Sequence, residues 1–331
     1  MKQLLGLSDD FLRSLNILDW GYTENSIPNS ISQYEKWIKE GLHAPLGYLG
    51  DFRSDLRSDL RKVYPDFQSS LVFLFSYQET KKWMMENNHH EVAAYSLGFE
   101  GQDYHHVLKE RLDRVFLQLK NQFPNLEKFI ALDAQPVMER DLAYRAGLGW
   151  FGKNSMLIHQ KEGSYFIIGS LLLNQKLPLP KPVLDTDHCG QCNACVEACP
   201  TKAIDGEMRT LIANKCISTF TIEVFKEATA PEGFEKSRGE VFGCDICQDV
   251  CPWNRKPLAR VNGFLKLQES YSFLKEWFYE LPKVQLMELF EKESNRGVKK
   301  ILFGTPFDRP GKQGWIKNIK AWLSTSKQNK I

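Results

Sequence analysis

Eight cysteines crowd into residues 189–251, and none lies elsewhere in the 331-residue chain. Four of them form CGQCNACVEACP (189–200), the CxxCxxCxxxCP spacing of a bacterial ferredoxin. A second run, VFGCDICQDVCP (241–252), keeps three cysteines and carries Val241 where the first would stand. Thiolates at this spacing hold 4Fe-4S clusters: the tight CxxCxxC loop offers three ligands to one cluster, and the fourth, carried past the turn, reaches the other. Cys189, Cys192 and Cys195 are therefore expected on one cluster, with Cys199 on the second. By the pseudo-symmetry of such domains, Cys244 and Cys247 hold the second cluster and Cys251 crosses back to the first. That leaves the second cluster one ligand short, and Cys216 is the cysteine left over to complete it. Zinc is the competing metal, but a zinc ribbon needs two CxxC pairs about 15–20 residues apart. Disulfides belong to small secreted frameworks. Two adjacent clusters can act as a two-step electron wire, or merely as staples for the fold.

A wire needs a terminus. AGLGWFG (146–152) follows a helix instead of opening one, so it is no dinucleotide fingerprint, and nicotinamide binding is not expected. A flavin or another redox cofactor within residues 1–180 fits better. The best-placed acid is Asp133, at the end of an apolar strand and ahead of a helix, where it would either face a pocket or cap that helix. His105 and His106 in DYHHV read as a surface pair.

The elements that position these groups alternate between strand and helix patterns. SSLVFLFSY (69–77), KFIALDA (128–134), SMLIHQ (155–160) and SYFIIGSLLL (164–173) are short apolar runs rich in β-branched or aromatic residues, hence strands. DYHHVLKERLDRVFLQLKNQF (103–123) sets Val107, Leu108, Leu112, Val115, Phe116 and Leu119 on one helical face. PVMERDLAYRAG (136–147) predicts a helix with proline at its first position and glycine at its end. The fold class is α+β: a mixed sheet-and-helix domain over 1–180, a ferredoxin-like two-cluster domain over 181–260 entered through the proline-rich KLPLPKPVLD (176–185), and a helical segment over 261–331.

From Arg296 onward there are nine basic residues, Arg296, Lys299, Lys300, Arg309, Lys312, Lys317, Lys320, Lys327 and Lys330, against one acid, Asp308. Trp315 and Trp322 interleave with them. This reads either as a solvated helix face or as a patch for RNA phosphates and bases. Composition, with 42% apolar and 25% charged residues and a net charge of +2, is that of a globular protein and does not decide between them. No run approaches a membrane span, and MKQLLGLSDDFLRSL is too acidic for a secretory signal, so a cytoplasmic location is expected.

FGCDICQDVCPWN (242–254), the CxxCxxCxxxCPTKAI run (189–204), CISTFTIE (216–223), ERDLAYRAGLGWFGKNSMLI (139–158) and YSLGFEGQDYH (95–105) together resemble the epoxyqueuosine reductase family over most of residues 45–260. The resemblance implies a cobalamin-dependent enzyme with two 4Fe-4S clusters, converting epoxyqueuosine at the tRNA wobble position to queuosine. Electrons pass singly through the clusters to cobalamin, which attacks the epoxide while an acid protonates the leaving oxygen. By the same resemblance that acid falls on Asp133, whose pKa is expected to be raised by burial beside the corrin. It also implies that Lys153 and Asn154 of GWFGKN, Gly169, Ser170, Thr219 and Thr221 line the cofactor, with Arg57 and Ser96 as further candidates for the same lining. Asp103-Tyr104-His105 begins a DxHxxG cobalamin motif, but Leu108 stands at its glycine position, so no histidine ligand to cobalt is expected. Implied partners are tRNA and a reductase or a flavodoxin- or ferredoxin-type electron donor, with no membrane, and the chain is expected to be a monomer. The competing classes are a ferredoxin-like electron carrier, which has no need of Asp133, and a reductive dehalogenase, which usually carries a twin-arginine signal not found here.

Overall fold

The computed structural model describes residues 5–328, with side chains as far as Ser324. Lys330, the side chain of Lys327 and the first four residues of the chain lie outside the described residues. At the centre is a four-stranded antiparallel sheet in the order Ile17–Thr23, Ser69–Ser76, Phe166–Leu173, Lys128–Ala131. Ser69–Ser76 is buried at every position because alternate side chains enter different cores. Leu71, Phe73 and Phe75 face one core together with the Tyr104–Lys120 helix. Val72 and Leu74 face another, with Leu142 and Ala143 of the Glu139–Arg145 helix. An antiparallel sheet covered on both faces reads as continuous apolar runs, which is how these strands stand out.

Ile17–Thr23 was not expected, because ILDWGYT breaks apolar alternation with Asp19 and Gly21. Gly21 is required by contact: a Cβ there would stand 2.1 Å from the Ala146 carbonyl oxygen. SMLIHQ contributes only Leu157–Ile158, since its partner strand is the two-residue Trp150–Phe151. The helix expected from Pro136 starts at Glu139 instead. Residues before it form a tight loop, in which the Gln135 side chain accepts from the Leu132 amide at 2.7 Å and Asp133 adopts φ +51°.

The 261–331 segment does not stand apart. Its helices Lys283–Lys292 and Asn295–Leu302 place Leu286, Phe290, Val298 and Leu302 in the same core as the sheet. Trp315 is fully buried there, its ring 5.3 Å from Phe290 and 5.6 Å from Phe242, with its Nε1 donating to the Phe307 carbonyl. Trp322 is half-buried against this core. The Trp315 ring is therefore not free to stack on RNA as the basic tail suggested. Several of the cations are also engaged within the fold. Lys317 is buried over the Phe220 ring and donates to the Phe220 and Val224 carbonyls; Lys312 donates to the Glu291 and Glu293 carbonyls. Arg296, Lys299 and Lys300 remain exposed. No helix among the described residues is long and apolar enough to cross a membrane.

Candidate functional site

Cys189, Cys192, Cys195 and Cys251 line one cavity, closed by Pro252, Trp253, Lys153 and Asn154. Burial and the three neighbouring thiols push Cys251 up to about 11, a resistance to ionisation that iron's positive charge would reverse. The remaining four thiols gather beside them: Cys216 is within electrostatic reach of Cys199, Cys244 of Cys247 and Cys216, and Cys247 of Cys216 and Cys199. Cys247 also senses Cys195, so the two groups adjoin. None of the eight is paired in a disulfide.

The irregular member has a local cause. Val241 is fully buried because its chain is drawn into the core, where its amide donates to the Glu91 carbonyl at 2.7 Å and Phe242 bridges to Val92. A side chain there belongs to the large hydrophobic core shared with the sheet. Cys216 instead caps the N-terminus of the Ile217–Glu223 helix. Burial raises its pKa, while the Thr219 and Ser218 amides oppose that rise, as unsatisfied N–H groups at a helix start do for a thiolate. The Thr221 hydroxyl accepts from the Gly243 amide at 2.9 Å and donates to the Ile217 carbonyl, fastening this helix to the FGCDIC turn. Gly243, at φ +72°, leaves no room for a side chain: a Cβ would meet that of Ala93 at 2.5 Å.

GWFGKN binds the cluster loops to the sheet. Lys153 Nζ donates to the Gly190 carbonyl at 2.9 Å and to Asn193 at 2.8 Å; Asn154 donates to the Cys247 carbonyl at 3.4 Å. A second fastening is buried. Lys81 lies 3.0 Å from Asp245 and 2.5 Å from Asp249, and Asp249 also accepts from Arg238 and from the Tyr165 hydroxyl.

Asp133 occupies a different setting. Its side chain is 62% exposed, yet surrounding protein strongly desolvates it; a group both open and desolvated lies in a concavity. It does not cap the helix that follows, which has no side-chain cap. Its Oδ2 accepts from the Tyr104 hydroxyl at 2.5 Å and lies 3.5 Å from His105 Nε2. Asp103, the N-cap of the Tyr104–Lys120 helix, holds His105 Nδ1 at 2.7 Å. Desolvation alone would lift the Asp133 pKa, but the hydrogen bonds from His105 and Tyr104 win and hold it below the ordinary carboxylate value. The direction set by the protein's own groups is thus downward; the expected rise concerns Asp133 with the corrin packed against it. His105 is pushed the other way, to about 9, since both carboxylates outweigh its burial. His106 is exposed, as expected of a surface residue.

Sequence reasoning missed Tyr104, although it sits inside DYHH, and also Glu139. Burial, reinforced by the charge of Asp133, lifts Glu139 to about 8, and its Oε1 has no partner in the fold. Arg57 also reaches this concavity, within electrostatic reach of Glu139, and its Nη1 is buried without a partner. Of the residues expected on a cofactor, Arg57 and Asp133 present side chains to the cleft. Several others do not. The Ser96 hydroxyl turns back to the Ala93 carbonyl at 2.6 Å, Thr221 is consumed as described, and Thr219 hydrogen-bonds the Cys216 thiol. Gly169 packs against Phe75, Leu112 and Leu132, and Ser170 is fully buried with its hydroxyl unpartnered. Lys153 and Asn154 serve the cluster loops.

An α+β scaffold that carries eight gathered thiols together with the hydrogen-bonded Asp133, Tyr104 and His105 has the parts of an iron–sulfur redox protein. Residues 188–254 match the family model for a 4Fe-4S double cluster binding domain, and residues 57–133 match that described as "Epoxyqueuosine reductase QueG, DUF1730". An epoxyqueuosine reductase of Cyclobacterium marinum is 35% identical over 271 residues, covering 80% of this chain and 83% of the relative. One from Pseudomonas aeruginosa is 32% identical over 320 residues, covering 96% and 84%. Among solved structures, epoxyqueuosine reductase from Streptococcus thermophilus superposes with a TM-score of 0.75 at 22% identity, covering 98% of this chain and 82% of that one. Another, an epoxyqueuosine reductase with an epoxyqueuosine-modified tRNA-Tyr stem loop, gives 0.71 at 25% identity, covering 96% and 80%. The chain belongs to the epoxyqueuosine reductase family.

Proposed function

We propose that the protein reduces the epoxide of epoxyqueuosine in tRNA to the alkene of queuosine, using cobalamin supplied with electrons through two 4Fe-4S clusters. The observation that carries this is the coexistence, in a chain of this family, of eight thiols in two adjoining groups and an exposed Asp133 hydrogen-bonded to Tyr104 and facing His105. The clusters are assigned to Cys189, Cys192, Cys195, Cys251 and to Cys199, Cys216, Cys244, Cys247. A corrin is fringed with amides, and the unpartnered Arg57 Nη1 and Glu139 Oε1 fit such a rim. When bound, cobalamin supplies a strongly reducing nucleophilic centre.

The chain's own groups then handle protons. Epoxide to alkene consumes two electrons and two protons and releases water. Asp133 stands at the reacting oxygen, and the His105 imidazolium and Tyr104 hydroxyl behind it deliver the proton that the ionised carboxylate lacks. Asp103 keeps His105 charged and oriented. Residues 1–180 serve cofactor and substrate and 181–260 the clusters, while 261–331 supports both through the shared core. Electrons enter from a reductase or a flavodoxin- or ferredoxin-type protein at the first cluster, where Cys192 is exposed. A tRNA substrate implies a cytoplasmic enzyme, and we infer a monomer.

Mass spectrometry of tRNA from a strain lacking the gene tests the reading. Epoxyqueuosine should accumulate and queuosine disappear; unchanged queuosine would overturn it. Anaerobically purified protein should also retain cobalamin, which a simple electron carrier would not.

A further inference from the structure

Three exposed phenylalanines are linked through their neighbours to the groups at Asp133: Phe52 at 77% exposure, Phe225 at 44% and Phe303 at 71%. Arg309 lies over the Phe225 ring at 5.6 Å, donates to Glu223 at 2.8 Å, and is close enough to Asp133 to lower its pKa. Arg53 lies 5.8 Å from the Phe52 ring and 5.5 Å from that of Tyr48. Tyr48 is pushed up to about 12, mainly by burial and also by the nearby charges of Glu223 and Asp133. Phe303 precedes Gly304, whose carbonyl accepts from the amide of Asp103, the residue holding His105. Exposed Lys226 follows Phe225 directly, and exposed Lys299 and Lys300 precede Phe303 by four and three positions.

Exposed aromatic rings alone would suit any apolar partner. Exposed rings carrying guanidinium groups, with exposed lysines near them in the chain and links to the residue that must meet one nucleoside, suit single-stranded nucleic acid: bases stack on the rings and cations meet phosphates. A protein partner would bring apolar side chains instead and gain nothing from this cation pattern. Phe225 is the ring best placed, because its stacked Arg309 is also the cation nearest Asp133 in this group.

Resting on the functional reading above, we propose that Phe225, with Arg309 over it, is a base-stacking platform for the anticodon-loop nucleotide beside the extruded nucleoside, and that Phe52 and Phe303 continue the same rim. An extruded wobble nucleoside leaves its neighbour without a stacking partner, and the platform replaces the one lost.

The test is fluorescence anisotropy with cluster-loaded full-length protein and a short hairpin carrying a queuosine-type anticodon loop, titrated at several salt concentrations. Phe225→Ala should weaken binding by about five- to 150-fold, Phe225→Trp should restore it, and the slope of log Kd against log salt should stay unchanged because no cation was removed. In turnover, the same variant should raise KM far more than it lowers kcat. If the wild-type protein prefers the hairpin over one with a scrambled loop, and Phe225→Ala binds it equally well, the platform is wrong while the function stands. If the wild-type protein shows no such preference, the functional reading falls and the platform falls with it. Phe225 lies outside the buried cores, and an unchanged cluster absorbance confirms that the variant is folded.

Discussion

His105 Nε2 lies 3.5 Å from Oδ2 of Asp133, which leaves the imidazole between two carboxylates, since Asp103 holds its other nitrogen. With His105 lifted to about 9 and Asp133 lowered, the proton resides on the imidazole at neutral pH. Turnover should therefore fall as pH rises through about 9. In His105→Gln that limb should vanish and activity should instead grow toward acid, as Asp133 returns to the ordinary carboxylate range; an unchanged profile would refute the relay. Because the folded pKa of His105 is raised, its stabilising contribution is complete below about 6.5 and is lost as pH climbs through about 9.

Asp133→Asn should lower turnover by about 10²- to 10⁴-fold, the usual loss of a positioned acid. Iron content and the cobalamin absorption spectrum should be retained, which separates lost proton delivery from lost binding.

Cys216→Ala removes one ligand from the second group and none from the first. Reconstituted protein should hold about four iron atoms in place of about eight. A full complement would show that Cys216 is not a ligand.

Lys81 is 1% exposed and faces two carboxylates. Lys81→Met should cost about 3–5 kcal/mol, the penalty for stranding buried charge, measured as a fall in Tm under anaerobic conditions. Adding Asp249→Asn should recover part of that loss.

Trp315→Ala opens the core shared by the sheet and the C-terminal helices, and should cost about 3–5 kcal/mol. Trp315→Phe should cost much less. If Trp315→Ala left the Tm unchanged but impaired RNA binding, the residue would belong to an RNA-binding surface after all.

The amino-acid sequence by itself determined the chemistry that depends on short spacing. Cluster ligands within a few residues of one another, the Tyr104–Lys120 helix with its buried face, and the central strands are all local patterns, because a tight loop or a repeating period fixes where side chains point. Counting cysteines leaves Cys216 over as the proposed ligand, but only the tertiary structure explains Val241, whose chain the Glu91 contact draws into the core. Tertiary structure also decided what depends on partners distant in sequence. It set the downward shift of Asp133 by placing Tyr104 and His105 against it across 29 and 28 positions, since those hydrogen bonds outweigh its desolvation. It turned Ser96 and Thr221 inward, because a buried hydroxyl must find an acceptor. It took Trp315 from an apparently basic tail into the core, where its ring has several aromatic neighbours and its charged neighbours in sequence lie on other faces of the helix.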